Sequence, residues 1–237
     1  MSPSADLPGD RRIDLNADLG EEVTDDAALL RVVTSANVAC GYHAGNADIM
    51  RAVCAEAVTR GVSVGAQVSY DDRENFGRVA RDVAAEVLRE QVADQVGILS
   101  DIAATEGTTV RYLKPHGALY HRVIDDEPQA RAVLSGSGTL PVLGMPGALL
   151  LDLARDAGRV VFREGFPDRA YAAAGRLLPR DRPGAVLTDT DTIAVKAVEL
   201  AAAVDSVCVH GDSPGAVTSA TAVRGSLEAA GYLLRGL

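Results

Sequence analysis

Lysine is nearly missing from this 237-residue chain: of its 23 basic residues only two, Lys114 and Lys196, are lysine. Net positive charge is missing too, since the formal charge is −10. That balance argues against a nucleic-acid or anionic-membrane partner, because either needs a basic face to release counterions or to meet headgroups. A small anionic substrate needs positive charge only locally and stays open. No run of about 18 consecutive apolar residues occurs, and the opening stretch MSPSADLPGD has no apolar segment. The chain is therefore expected to be soluble and cytoplasmic, with residues 1–10 forming a flexible N-terminus. Cysteine is scarce, and Cys40, Cys54 and Cys208 show no CxxC spacing. This argues against a disulfide framework or a structural zinc site and leaves buried thiols.

What is present is an alternation of strand-like and helix-like segments. With 47% hydrophobic residues the chain can bury one large core, which points to one domain over residues 1–237. Short apolar runs occur around Arg12–Leu15, Ala36–Ala39, Val62–Ala66, Val110–Leu113, Pro141–Leu143, Val160–Phe162 and Ser206–Val209. Helical patterns lie between and after them, at Asp25–Val33, Ala47–Arg60, Val83–Thr105, Pro128–Leu134, Ala148–Asp156, Thr190–Ala203 and Pro214–Leu234. Thr24 and Asn46 are expected to cap helix starts, and Gly61, Gly107 and Gly158 to provide left-handed exits. Strands that alternate with helices favour a parallel sheet covered by its crossovers, here a seven-stranded (β/α) barrel. The Arg-, Pro- and Gly-rich segment Gly165–Leu187 reads as a long functional loop.

The polar residues cluster after the strands. Asn16, Asp18 and Glu21 follow the first; His43 and Asn46 the second; Gln67, Ser69, Asp71 and Asp72 the third; Lys114 and His116 the fourth. Glu164, Asp168 and Arg169 follow the sixth strand, and His210 and Asp212 the seventh. A closed parallel barrel brings all these strand ends to one rim, where such barrels build active sites. Lys114 emerges from an apolar strand just before Pro115. Its compact ammonium suits a single anionic oxygen better than a guanidinium fork does.

The strings DLNADLGE, SANVACGYHAGN, DRENFGR, LKPHGALY, EGFPDRAY with GRLLPR, and VCVHGDSPGAV occur in this order from about Ile13 to Val217. Together they resemble the successive signatures of the LamB/YcsF family. The resemblance implies a barrel of the glycoside hydrolase/deacetylase type and ATP-dependent opening of the 5-oxoproline lactam to glutamate, with partner subunits B and C. Joined with the placement of the polar strand ends, it makes Asp18, Lys114, His116 and His43 the expected catalytic residues. Asn16, Glu21, Asn46, Gln67, Asp72, Arg78, Glu164, Asp168, Arg169, His210 and Asp212 would bind substrate. Asp18, with Glu21, is the expected base for water, and Lys114 the expected oxyanion partner.

The chain departs from the family at two points. It reads Gly65-Ala66-Gln67-Val68-Ser69 where members usually have Gly-Ala-His-Pro-Ser, and Ala44-Gly45-Asn46 in place of Ala-Gly-Asp. Related barrel deacetylases hold a divalent metal with one Asp and two His, and an amide is a poor substitute for imidazole, so no tightly bound metal is expected. No GxxxxGK[ST] string occurs, which excludes a P-loop and leaves Mg-bound ATP to the rim or to a partner subunit. The alternatives are a metal-dependent carbohydrate deacetylase and a catalytically silent partner-binding subunit.

Overall fold

The computed structural model describes residues 11–172, 175–212 and 215–237. The tail expected to be flexible, residues 1–10, lies outside them, as does Pro214, expected at the head of the last helix. Seven parallel strands form the barrel: β1 (Arg12–Leu19), β2 (Ser35–Ala39), β3 (Ser63–Val68), β4 (Val110–Pro115), β5 (Val142–Gly144), β6 (Val161–Gly165) and β7 (Ser206–Val209). Each pairs with its sequence neighbour, and β1 closes the cylinder by pairing with both β2 and β7. Asn16 is the register partner of Ser35 on one side and of Cys208 on the other.

Alternation along β1 sets the character of the two sheet faces, because successive side chains point to opposite sides. Ile13, Leu15, Ala17 and Leu19 join the hydrophobic core that the helices cover. Asp14, Asn16 and Asp18 are buried on the other face, where they meet Ser206, Asn37 and Lys114. The lumen is therefore a column of polar groups, and the apolar core lies outside the sheet. DLNADLGE already carries this alternation.

The covering helices are α1 (Asp26–Leu30), α2 (Ala47–Arg60), α3 (Ala85–Thr105), α4 (Gly117–Arg122), α5 (Glu127–Gly136), α6 (Leu149–Asp156), α7 (Thr190–Ala201) and α8 (Ala216–Ala229). Asn46 caps α2 as expected, accepting from the Asp48 and Ile49 N–H groups at 3.0 and 3.1 Å, and Gly61 ends it with φ 67°. Thr24 does not cap α1. Asp25 does so through the Ala28 N–H, while the Thr24 hydroxyl donates to the Gly211 carbonyl and ties the β1 exit to the β7 exit. The last helix is shorter than the expected Pro214–Leu234. Gly231 takes φ 84°, and Leu233–Leu234 becomes a short strand β8 beside β1, with Leu233 N donating to Arg11 O at 2.8 Å. An open backbone edge at Arg11–Ile13 outweighs local helix preference there. Among the described residues no helix is long and apolar enough to cross a membrane.

Candidate active site

At the carboxyl ends of the strands the polar column finishes in an ionic floor. Lys114 Nζ lies 2.7 Å from Glu164, 3.0 Å from Asp18, 3.2 Å from Cys208 Sγ and 3.4 Å from Asn16. Its three N–H groups thus face four acceptors within the protein. Burial alone would lower the Lys114 pKa, but the Asp18 and Glu164 carboxylates reverse this and hold it well above its ordinary value. Burial would likewise raise Asp18; the Lys114 ammonium instead holds that carboxyl below the usual carboxylate range. A carboxylate so reluctant to take a proton is a weak base. Asp18 and Lys114 form a buried ion pair in the floor of the rim. Asn37 donates to Asn16 and Asp18 at 2.7 and 2.8 Å, Tyr112 donates to Asn37 at 2.6 Å, and Tyr120 donates to Glu164 at 3.1 Å.

Beside this floor sit Glu21, His43, Gln67 and His116, all buried. The two imidazoles stack with centroids 4.0 Å apart. Burial, helped by His43, keeps the His116 pKa well below its ordinary value, so the ring is neutral. Burial also raises the Glu21 carboxyl despite the nearby His43. The loop after β3 covers the cluster: Phe76 adopts φ 56°, rare for a bulky side chain, and turns its carbonyl to within 3.1 Å of His116 Nε2. Its ring stands edge-on to both imidazoles. Gly77 and Gly117 make this closure possible. A Cβ on Gly117 would come within 2.3 Å of the Gly77 carbonyl, and one on Gly77 within 2.2 Å of Ser69 Oγ. The glycine after His116 is thus required by loop contact.

A cavity of about 240 Å³ opens above the floor, with Asp18, Lys114, His116 and His210 in its lining. His210 is held by Asp168, which accepts from Nδ1 at 2.9 Å and from the His210 backbone N–H at 3.0 Å. This fixes the proton on Nδ1 and leaves Nε2 as an acceptor. Phe166 stacks on the ring at 5.2 Å. Burial would raise Asp168, but His210 holds it below its ordinary value. The outer wall is cationic. Arg78, Arg169, Arg180 and His121 line it; Arg78 and Arg180 share Asp212, while Arg169 donates to the Leu178 and Ala185 carbonyls.

Most residues singled out in the sequence converge on this rim, with two exceptions. Asn46 is exposed and committed to its helix cap. Asp72 is buried but holds the β3 loop, accepting from Asn75 at 2.7 Å and pairing with Arg81. Sequence reasoning does not single out Asn37, Phe76, Tyr120, His121, Phe166 or Arg180. All but His121 sit inside the family-like motifs, yet only the fold brings them to the site. Gly165–Leu187 supplies Phe166, Arg169, Leu177, Pro179 and Arg180 to the cavity. The three cysteines are free and buried.

A closed seven-stranded parallel barrel with a polar lumen and a charged pocket at its carboxyl rim defines the deacetylase-type barrel class. Within that class the chain belongs to the LamB/YcsF family, whose model matches residues 13–237. It is 52% identical over 242 residues to a Streptomyces avermitilis protein named as the A subunit of 5-oxoprolinase, covering 92% of this chain and 97% of the relative. The crystal structure of a lactam utilization protein from Thermus thermophilus superposes with a TM-score of 0.89 at 34% identity, covering 95% of this chain and all of that one. A peptidoglycan deacetylase, PdaC from Bacillus subtilis, shares the fold alone, with a TM-score of 0.54 at 14% identity over 98% of this chain and 90% of that one.

Proposed function

We propose that this chain is the A component of an ATP-dependent 5-oxoprolinase, which hydrolyses the lactam of 5-oxo-L-proline to L-glutamate together with partner subunits B and C. The names of its Streptomyces and Thermus relatives support the substrate class. The observation that carries the reading is the pocket itself, where an oriented imidazole faces a small cavity whose outer wall bears three arginines. The substrate's carboxylate seats against Arg78, Arg169 and Arg180, and the ring points toward the strand ends. Phosphoryl transfer from ATP supplies activation of the lactam oxygen. With no P-loop in the chain, nucleotide binding falls to the partner subunits in this reading.

The chain's own part is proton handling and charge placement. His210 Nε2 takes a proton from the water that adds to the lactam carbon, and Asp168 stabilises the imidazolium that results. That proton passes to the ring nitrogen as the C–N bond breaks and the amine forms, which leaves a γ-glutamyl phosphate; a second water hydrolyses it to glutamate and inorganic phosphate. The Lys114–Asp18–Glu164 lattice fixes the pocket floor and sets its field without binding the reacting oxygen. Asp168→Asn tests the assignment, since the isostere keeps the shape and loses the negative charge. Turnover of the reconstituted enzyme is expected to fall by about 10²–10⁴-fold with KM nearly unchanged, and Asp168→Glu to recover part of it. Wild-type kcat in Asp168→Asn would remove the dyad from the mechanism.

A further inference from the structure

The cluster beside the floor is not used by this chemistry, and three of its side chains, Glu21, His43 and His116, each bring a ligand atom within 4.8 Å of the other two. Glu21 Oε1 lies 3.6 Å from His43 Nε2 and 3.4 Å from His116 Nδ1. Zinc bonds of ~2.0–2.2 Å place neighbouring tetrahedral ligands about 3.3–3.6 Å apart. What stands among these atoms is the Gln67 carboxamide, fully buried, with Nε2 at 3.0 Å from Glu21 Oε1 and 2.9 Å from His116 Nδ1. His116 Nε2 faces the Phe76 carbonyl at 3.1 Å, so it carries the ring proton and Nδ1 presents a lone pair. Glu21 and His116 therefore confront each other as two acceptors. Such a pair needs a donor or a cation between them, and the amide supplies its two hydrogens.

The replacement is incomplete. Both ring nitrogens of His43 and the Gln67 Oε1 atom are buried without a hydrogen-bond partner. Unsatisfied buried polar atoms mark a place built for something the side chains alone do not provide. The third ligand position, His43 Nε2, is the one the amide leaves unserved.

We propose that the Gln67 carboxamide holds the place of a divalent cation in a latent Glu21–His43–His116 site, and that shortening this side chain opens the site to zinc-type ions. The inference is independent of the lactam reading and concerns only which group neutralises the three ligands. Gln67→Ala removes both hydrogen bonds and frees the space between the acceptors. Gln67→His fills that space with a further imidazole.

Equilibrium dialysis against Co²⁺, with metal content and visible absorption as readouts, tests it without any activity assay. Wild-type protein is expected to retain no stoichiometric cobalt. Gln67→Ala should bind cobalt at least about tenfold more tightly, with tetrahedral absorption bands, and adding His43→Ala should abolish this gain. Equal affinity in wild type and a folded Gln67→Ala, whether tight in both or absent in both, would overturn the proposal. If circular dichroism shows Gln67→Ala unfolded, Gln67→His carries the same comparison and the same two outcomes.

Discussion

Without the Lys114 ammonium, Asp18 and Glu164 would be left in the lumen with neither counter-charge nor bulk water. Lys114→Met is therefore expected to destabilise the protein by about 3–5 kcal/mol, the usual result of breaking a buried ion pair from one side. Lys196→Met, which removes a half-buried ammonium from the Arg169 carbonyl, should cost far less, and urea unfolding of the two variants checks the contrast. A lysine stands at 114 because a compact ammonium fits among Asp18, Glu164, Asn16 and Cys208. The sequence marks the position, but strand periodicity does not reveal how many acceptors converge on it from other strands. Asp14, lower in the same column, makes a prediction of opposite sign. Burial raises its carboxyl from 3.8 to about 6 against hydrogen bonds from Ser206, Ser35 and Thr34. A carboxyl raised on folding penalises the native state above its folded pKa, and the penalty fades as pH falls toward the unfolded value. At neutral pH it is about 3 kcal/mol. Asp14→Asn should therefore raise the Tm most at pH 7.5 and least near pH 4.

Among the elements, the β3 loop and α4 meet through the backbone contact between Gly77 and Gly117. Gly117 takes φ 58° and has no room for a Cβ. Gly117→Ala should displace the Phe76 carbonyl from His116 and cost about 1–3 kcal/mol of stability, seen as a lower Tm with the far-ultraviolet circular dichroism preserved. All seven barrel strands are legible as short apolar runs, because a strand covered on both faces by packed protein leaves a compact signal. The lumen-facing ends beyond those runs, such as Ala17–Leu19 and Glu164–Gly165, read as loop because their inward residues are polar. Helix α4 has no comparable signal: it is six residues long, follows Pro115-His116, and has no side-chain cap. Strand β8 depends on an edge far away in sequence, which no local pattern encodes. The segment Gly165–Leu187 is legible as a functional loop through its arginines, but the antiparallel bridges Arg169–Val186 and Tyr171–Leu177 that position them are not.

On the scale of the whole molecule, the acidic exterior and the cationic pocket wall divide the work. A net charge of −10 repels anions in general, while in the proposed reading Arg78, Arg169 and Arg180 at the rim receive the substrate carboxylate. Barrel closure is inferable from the order of polar strand ends, and it gathers residues far apart in the chain, such as Asn16 and Ser206, which touch at 2.6 Å. Partner dependence belongs to the proposed reading, in which the chain handles protons and placement while activation of the lactam oxygen lies with ATP and subunits B and C. The most direct measurement is ATP-dependent release of glutamate from 5-oxoproline by this chain, by partner subunits B and C, and by all three together. Glutamate is expected only from the complete mixture with ATP, and Asp168→Asn in this chain should reduce it by about 10²-fold or more. Release by the B and C subunits alone at the rate of the full mixture, or an unchanged rate with Asp168→Asn, would contradict the assignment of lactam opening to this pocket.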